Sequence, residues 1–112
     1  MISAEALSRM KRGALLINVA RGDLVDTEAL AQALQSGQIG AAALDVCDPE
    51  PIPQSHPLLK VSNVILSPHI ASVSPTAVRK LRETVAQLAT IALSGKLPPN
   101  VVNGITRPRG FP

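Results

Sequence analysis

The run "ALLINVARGD", Ala14 to Asp23, decides how this chain folds. Its first six residues, Ala14 to Val19, read as a buried strand, and aliphatic runs of this kind belong to parallel sheets covered by helices on both faces. The run ends at Arg21 beside Gly22 and Asp23, a turn signal. Asp26 is placed to cap a helix over Thr27 to Ser36, with Glu28 near its amino end, Leu30, Ala33 and Leu34 on one side, and Gly37 as the stop. "AAALDV", Ala41 to Val46, is a second strand. Strand, helix and strand joined by short links predict a right-handed parallel crossover.

Working outward, Ser3 can cap a short helix whose Ala6, Leu7 and Met10 share a face, with Gly13 just beyond it. From Cys47 to Ser62 the chain reads as an irregular loop carrying Pro49, Pro51, Pro53 and Pro57. "NVILS", Asn63 to Ser67, is a third strand. Ser74 as cap and Pro75 in the first turn open the longest helix, which runs to about Leu93 before Gly95. Its stripe of Val78, Leu81, Val85, Leu88, Ile91 and Ala92 reads as core packing. The tail, with four prolines from Pro98 onward, reads as extended or disordered. The segments are therefore residues 1–73, a helix over 74–97, and a tail over 98–112.

The 112 residues make one domain at most, with a core of Ala, Val, Leu and Ile, since Phe111 is the sole aromatic residue. Net charge is +3, and the basic residues fall in small groups with no aromatic residues between them. That pattern argues against a nucleic-acid partner and for solvated helix faces. One cysteine, Cys47, excludes an internal disulfide and suits a reducing compartment. Nothing approaches the ~20 apolar residues that cross a bilayer, and the amino terminus lacks a signal-peptide layout, so the expectation is a cytoplasmic chain without a membrane partner.

The polar residues of interest sit where strands stop. Arg21 follows the first strand, Asp45 closes the second with Glu50 shortly after, and His69 follows the third in "SPHIAS". Parallel strands end at one sheet edge, where open α/β proteins bind ligands. An arginine fork suits a carboxylate, a histidine exchanges protons near neutral pH, and an adjacent glutamate favours its charged form. Together they could hold a small keto acid and protonate its carbonyl. Each also has a plain alternative: Arg21 and Glu50 as solvated residues, His69 as a structural histidine, and Asp45 as a turn cap. His56 reads as a loop residue, and Cys47 as a thiol without an evident base.

"MKRGALLINVARGDLVDTEALAQAL", "GAAALDVCDPEP" with "HPLL", and "NVILSPHIAS", in this order, resemble the D-isomer-specific 2-hydroxyacid dehydrogenases, which include glyoxylate and hydroxypyruvate reductases and phosphoglycerate dehydrogenase. The resemblance covers about Ser3 to Val102. It implies an α/β fold, the second half of a Rossmann-like parallel sheet of three strands with flanking helices, and a last helix that returns to a substrate domain. It implies Arg21, Glu50 and His69 as catalytic residues: Arg21 for the substrate carboxylate, His69 as proton donor and acceptor, Glu50 as its partner. It also implies that Val19, Ala20, Arg21, Asp45, His69 and Ala71 contact the cofactor, NAD or NADP, with Asp45 on the nicotinamide carboxamide and no metal. The implied partner is a small 2-keto or 2-hydroxy acid, with a homodimer possible at full length.

No G-x-G-x-x-G occurs, so the turn that cradles the pyrophosphate is absent, and the chain resembles a carboxyl-terminal part. The first strand is then expected to have a bare edge that favours association. The alternative reading is a non-catalytic remnant or interaction module of the same fold.

Overall fold

The computed structural model describes residues 1–104. The elements in order are α1 (Ala4–Arg9), β1 (Ala14–Asn18), α2 (Thr27–Gln35), β2 (Ile39–Leu44), β3 (Val64–Leu66) and α3 (Pro75–Leu93). They fall in two compact units, Met1–Ala71 and a second beginning at Ser72. In the first unit the strands form one parallel sheet in the order β1-β2-β3. This is the expected arrangement of part of a Rossmann fold.

The caps act as the sequence predicts. Asp26 accepts from the Ala29 N–H at 2.9 Å, Ser74 from the Ala77 N–H at 3.1 Å, and Ser3 from the Ala6 N–H at 3.4 Å. Gly37 ends α2 with φ +70°, a left-handed conformation that glycine adopts without a Cβ clash. One cap is long-range: the Gln38 amide donates to the carbonyls of Leu7, Ser8 and Met10, which α1 cannot satisfy itself.

The core lies on one face of the sheet. Leu7, Leu30, Ile39, Leu44 and Leu58 are fully buried, with Leu16, Ala31, Leu34 and Ala42 among them. The opposite face is bare. Leu15, Ile17 and Ile65 are 71%, 71% and 72% exposed, and register places Ile17, Ala43 and Ile65 in one cross-strand row. The expectation that Ala14 to Val19 is buried on both faces is thus corrected. An apolar run reports that a face suits an apolar neighbour, and only one of the two faces has one among the described residues.

Element bounds shift modestly. β2 begins at Ile39, two residues before the expected start, because Gly40 permits close approach to the Gly13 backbone, where a Cβ would collide. The loop from Cys47 to Ser62 is not wholly irregular. Pro57–Lys60 forms a 3-10 turn that inserts Leu58 into the core. The stripe on α3 is not core either: no residue of α3 is buried, and Leu81, Val85 and Leu93 are exposed. Its caps define the helix, while an apolar stripe needs a facing surface to become core. Residues 98–104 carry no helix or strand, and the rest of the expected extended tail lies outside the described residues. No described helix is long and apolar enough to cross a membrane.

The bare row has a consequence for the chain studied alone. It should self-associate with rising concentration, and Ile17→Thr with Ile65→Thr, which keep β-branching, should shift sedimentation toward the monomer. Identical sedimentation of wild type and double variant would contradict this.

Candidate active site

Three segments meet the carboxyl edge of the sheet: residues 19–21 after β1, 45–47 after β2 and 67–71 after β3. Each is shaped by a side chain at a strand end. Asn18, 6% exposed, accepts from the Ala20 N–H at 3.0 Å and donates to the Arg21 carbonyl at 2.8 Å. β1 therefore ends at Asn18, one residue before the expected Val19, because this amide takes over the turn. Asn18 was legible as the one polar residue in an aliphatic run, yet that pattern does not reveal its partners.

Gly22 explains why a glycine follows Arg21. A Cβ at this position would overlap the carbonyl of Cys47, so the turn after β1 lies directly on the segment leaving β2. The Arg21 guanidinium donates to its neighbour's carbonyl, Ala20 O, at 2.6 Å, and makes no bond to another site residue among the described residues. Val19 is exposed beside it.

Asp45 is buried and committed. Its Oδ1 accepts from the Ser67 hydroxyl and from the Ile70 N–H at 2.9 Å, and its Oδ2 accepts from the Ala71 N–H at 2.8 Å. The bond from Ser67, followed by that from Ala71, holds its carboxyl below the ordinary value of 3.8. Its backbone carbonyl accepts from the His69 N–H at 2.9 Å. The turn-cap reading of Asp45 describes these bonds, and one lone pair of Oδ2 remains for any ligand.

Within that turn His69 has φ +55°, the only positive value at a non-glycine among the described residues. A side-chain-bearing residue there costs about 1–2 kcal/mol, which the surrounding bonds must offset. Its Nδ1 lies 2.9 Å from Glu50 Oε1, with both side chains nearly half exposed. An ionised carboxylate only accepts, so Nδ1 carries the proton and Nε2 is left to exchange one. The structure thus brings Glu50 to His69 and Asp45 to Ala71, and leaves Arg21 at the neighbouring strand end.

Two residues acquire definite surroundings. His56, expected in a loop, is 7% exposed: its Nδ1 accepts from the Leu58 N–H at 3.2 Å, so Nε2–H donates to Thr27 Oγ1 at 3.3 Å, and that hydroxyl donates to the Asp48 carbonyl at 2.9 Å. This chain ties the Glu50 loop to the start of α2. Cys47 is half-buried, and burial, reinforced by Glu50, pushes its thiol up. It lines an apolar cleft of about 390 Å³ with Glu50, Ile52, Leu59 and Leu66, but neither Arg21 nor His69 faces that cleft. No group of three or more His, Cys, Asp or Glu side chains among the described residues is placed to hold a metal ion.

A nicotinamide cofactor fits one end of this arrangement. Val19 and Ile70 are exposed apolar side chains at the carboxyl edge, suited to a flat ring, beside the backbone of residues 19–21 and 69–71. The phosphate end has no counterpart, since the sequence contains no glycine-rich turn after a strand.

Residues 1–71 match the family described as D-isomer specific 2-hydroxyacid dehydrogenase, NAD binding domain. The chain is 50% identical over 103 residues to a glyoxylate reductase of Thermofilum pendens, covering 92% of this chain and 30% of that protein. A crystal structure of a Thermus thermophilus protein superposes with a TM-score of 0.83 at 48% identity, over 89% of this chain and 32% of the other. A D-isomer specific 2-hydroxyacid dehydrogenase of Xanthobacter autotrophicus, solved in complex with NADPH, gives 0.76 at 40% identity, over 89% and 40%. The chain spans about a third of the length of the curated relatives it matches.

Two outcomes follow from the geometry. Gly22→Ala should cost about 1–3 kcal/mol in denaturant unfolding, the scale of overpacking; a loss under about 0.5 kcal/mol would contradict the close approach. Because the folded carboxyl of Asp45 lies below its ordinary value, the stability it confers is present above about pH 4 and is lost as pH falls through the lower folded value. Asp45→Asn should flatten that acid limb of stability against pH, and an unchanged limb would contradict it.

Proposed function

The chain belongs to the D-isomer specific 2-hydroxyacid dehydrogenase family, and from that membership we propose that the protein catalyses reversible reduction of a small 2-keto acid with NADH or NADPH. The observation that carries this reading is the His69 Nδ1 to Glu50 Oε1 pair at 2.9 Å on a strand-end turn, because it leaves Nε2 free to exchange a proton. The bound cofactor supplies the hydride. His69 delivers a proton from Nε2 to the carbonyl oxygen and takes it back in the reverse direction. Glu50 fixes the ring's orientation through its bond to Nδ1. Arg21, on a turn shaped by Asn18, receives the substrate carboxylate through its planar fork. Its present bond to the Ala20 carbonyl is exchanged for that stronger, charge-assisted one.

We assign the nicotinamide end of the cofactor to residues 19–21 and 69–71, with Asp45 offering at most its remaining Oδ2 lone pair to a carboxamide. Hydroxypyruvate and glyoxylate are the proposed substrates. Support comes from relatives described as glyoxylate reductases or glyoxylate/hydroxypyruvate reductases, and both acids carry the carboxylate that Arg21 would bind. Pyrophosphate binding, most substrate-domain contacts and any homodimer contacts are assigned to parts of the family architecture other than these residues.

The division of roles is testable in the protein at its native length. His69→Ala should lower kcat by ~10²–10⁴ with a smaller change in KM, the usual contribution of a positioned acid. Arg21→Gln should act mainly on KM for the keto acid and in kcat/KM. Near-normal turnover of His69→Ala would remove the histidine from the reaction. An unchanged KM for Arg21→Gln would remove the arginine from substrate binding.

A further inference from the structure

The Ser67 hydroxyl donates to Asp45 Oδ1 at the carboxyl edge of the sheet, beside the bend that carries His69. We propose that the Ser67 hydroxyl and the Asp45 carboxylate form a positioning pair that holds His69 in its left-handed backbone conformation, and so delivers its Nδ1 to Glu50 and leaves Nε2 available. The proposal rests on the dehydrogenase reading for its catalytic consequence, and on the turn itself for its structural content.

Directly after β3 the chain bends at His69, which has φ +55°. A histidine has no intrinsic reason to stay there. Four bonds hold it. The His69 N–H donates to the Asp45 and Ser67 carbonyls, and the N–H groups of Ile70 and Ala71 donate to the two carboxylate oxygens of Asp45. One carboxylate thus spans the two residues following His69. Ser67 secures that carboxylate from the other side, its hydroxyl donating to Oδ1. Asp45 is itself fixed to the sheet, because its N–H donates to the Asn18 carbonyl at 2.9 Å. Position therefore passes from the sheet to Asp45, from Asp45 to the turn, and from the turn to the ring of His69. The lowered carboxyl of Asp45 is consistent with an anion serving as the common acceptor. Among the described residues the ring's hydrogen bond goes to Glu50, and the bonds of Ser67 and Asp45 go to each other and to the backbone of the turn, so both act as positioning residues through that backbone.

The two histidines supply an internal comparison. His56 Nδ1 accepts from a backbone N–H and so holds its proton on Nε2, whereas His69 donates from Nδ1 to Glu50. Nitrogen-15 spectra of the 112-residue chain labelled at histidine, at a pH where both rings are neutral, should show these opposite tautomers. In Ser67→Ala, His56 should keep its tautomer while His69 loses its preference for Nδ1–H. Amide exchange of Ile70 and Ala71 should then be on the order of tenfold faster, as expected for weakening a bond to a charged acceptor. Ser67→Thr, which keeps the hydroxyl, should restore both readings.

If Ser67→Ala loses the His56 signature as well, the fold has failed, and Asp45→Asn provides the same test, since an amide cannot accept at both ends. Unchanged His69 tautomer and unchanged Ile70 and Ala71 exchange in a folded variant of either kind would overturn the proposal. In the protein at native length, Ser67→Ala should lower kcat at least tenfold, with less than a threefold change in KM. The spectra need neither cofactor nor turnover. Full activity of His69→Ala would therefore remove the catalytic reading and leave the positioning result standing.

Discussion

Where a parallel strand ends, its backbone N–H and C=O groups lose their ladder partners, and near the core they must find others. In this chain Asn18, at the carboxyl end of β1, meets that requirement for the residues after β1, and Asp45, just beyond β2, meets it for the residues after β3. Asn18 closes the turn that follows its own strand, Asp45 holds the segment that follows β3, and the Asp45 N–H to Asn18 carbonyl bond links the two. The exposed edge of the sheet thereby acquires defined geometry at residues 19–21 and 67–71. Removing either side chain would leave two or more donors or acceptors without a partner, at about 1–3 kcal/mol for each one that is buried. The candidate chemistry depends on this satisfaction of backbone groups more than on any direct contact among its reactive side chains.

The same arrangement separates structural from reactive polarity. His56, Thr27 and the Asp48 carbonyl form a saturated buried chain that ties the Glu50 loop to α2. The His69 and Glu50 pair is nearly half exposed, and the pair leaves one ring nitrogen uncommitted. Solvent exposure makes that ion pair individually weak, so its persistence needs a turn that already aims the ring. The bare sheet face, with Leu15, Ile17 and Ile65, is apolar and has no partner among the described residues.

Much of the architecture was legible in the residues. Ser3, Asp26 and Ser74 announced the helix starts because capping is local chemistry, and the aliphatic runs announced three strands because composition carries that signal. The spacing of Arg21, Asp45 and His69 after those runs placed them at one edge as soon as the sheet was taken to be parallel. Three features were not legible. Apolar runs do not state how many faces are covered, so Leu15 and Ile17 misled. The 3-10 turn that buries Leu58 depends on the His56 ring, whose partner Thr27 is 29 positions away. The apolar stripe on α3 satisfies the pattern of a core helix, yet a stripe becomes core only when something lies against it.

The family is described as D-isomer specific, so the proposed reduction of a 2-keto acid carries a stereochemical expectation. The most direct measurement is chiral analysis of the acid formed from hydroxypyruvate with NADH or NADPH by the protein at its native length. Turnover to the D-hydroxy acid is the predicted result. Formation of the L or racemic acid, or no turnover by the folded protein with either cofactor, would contradict it.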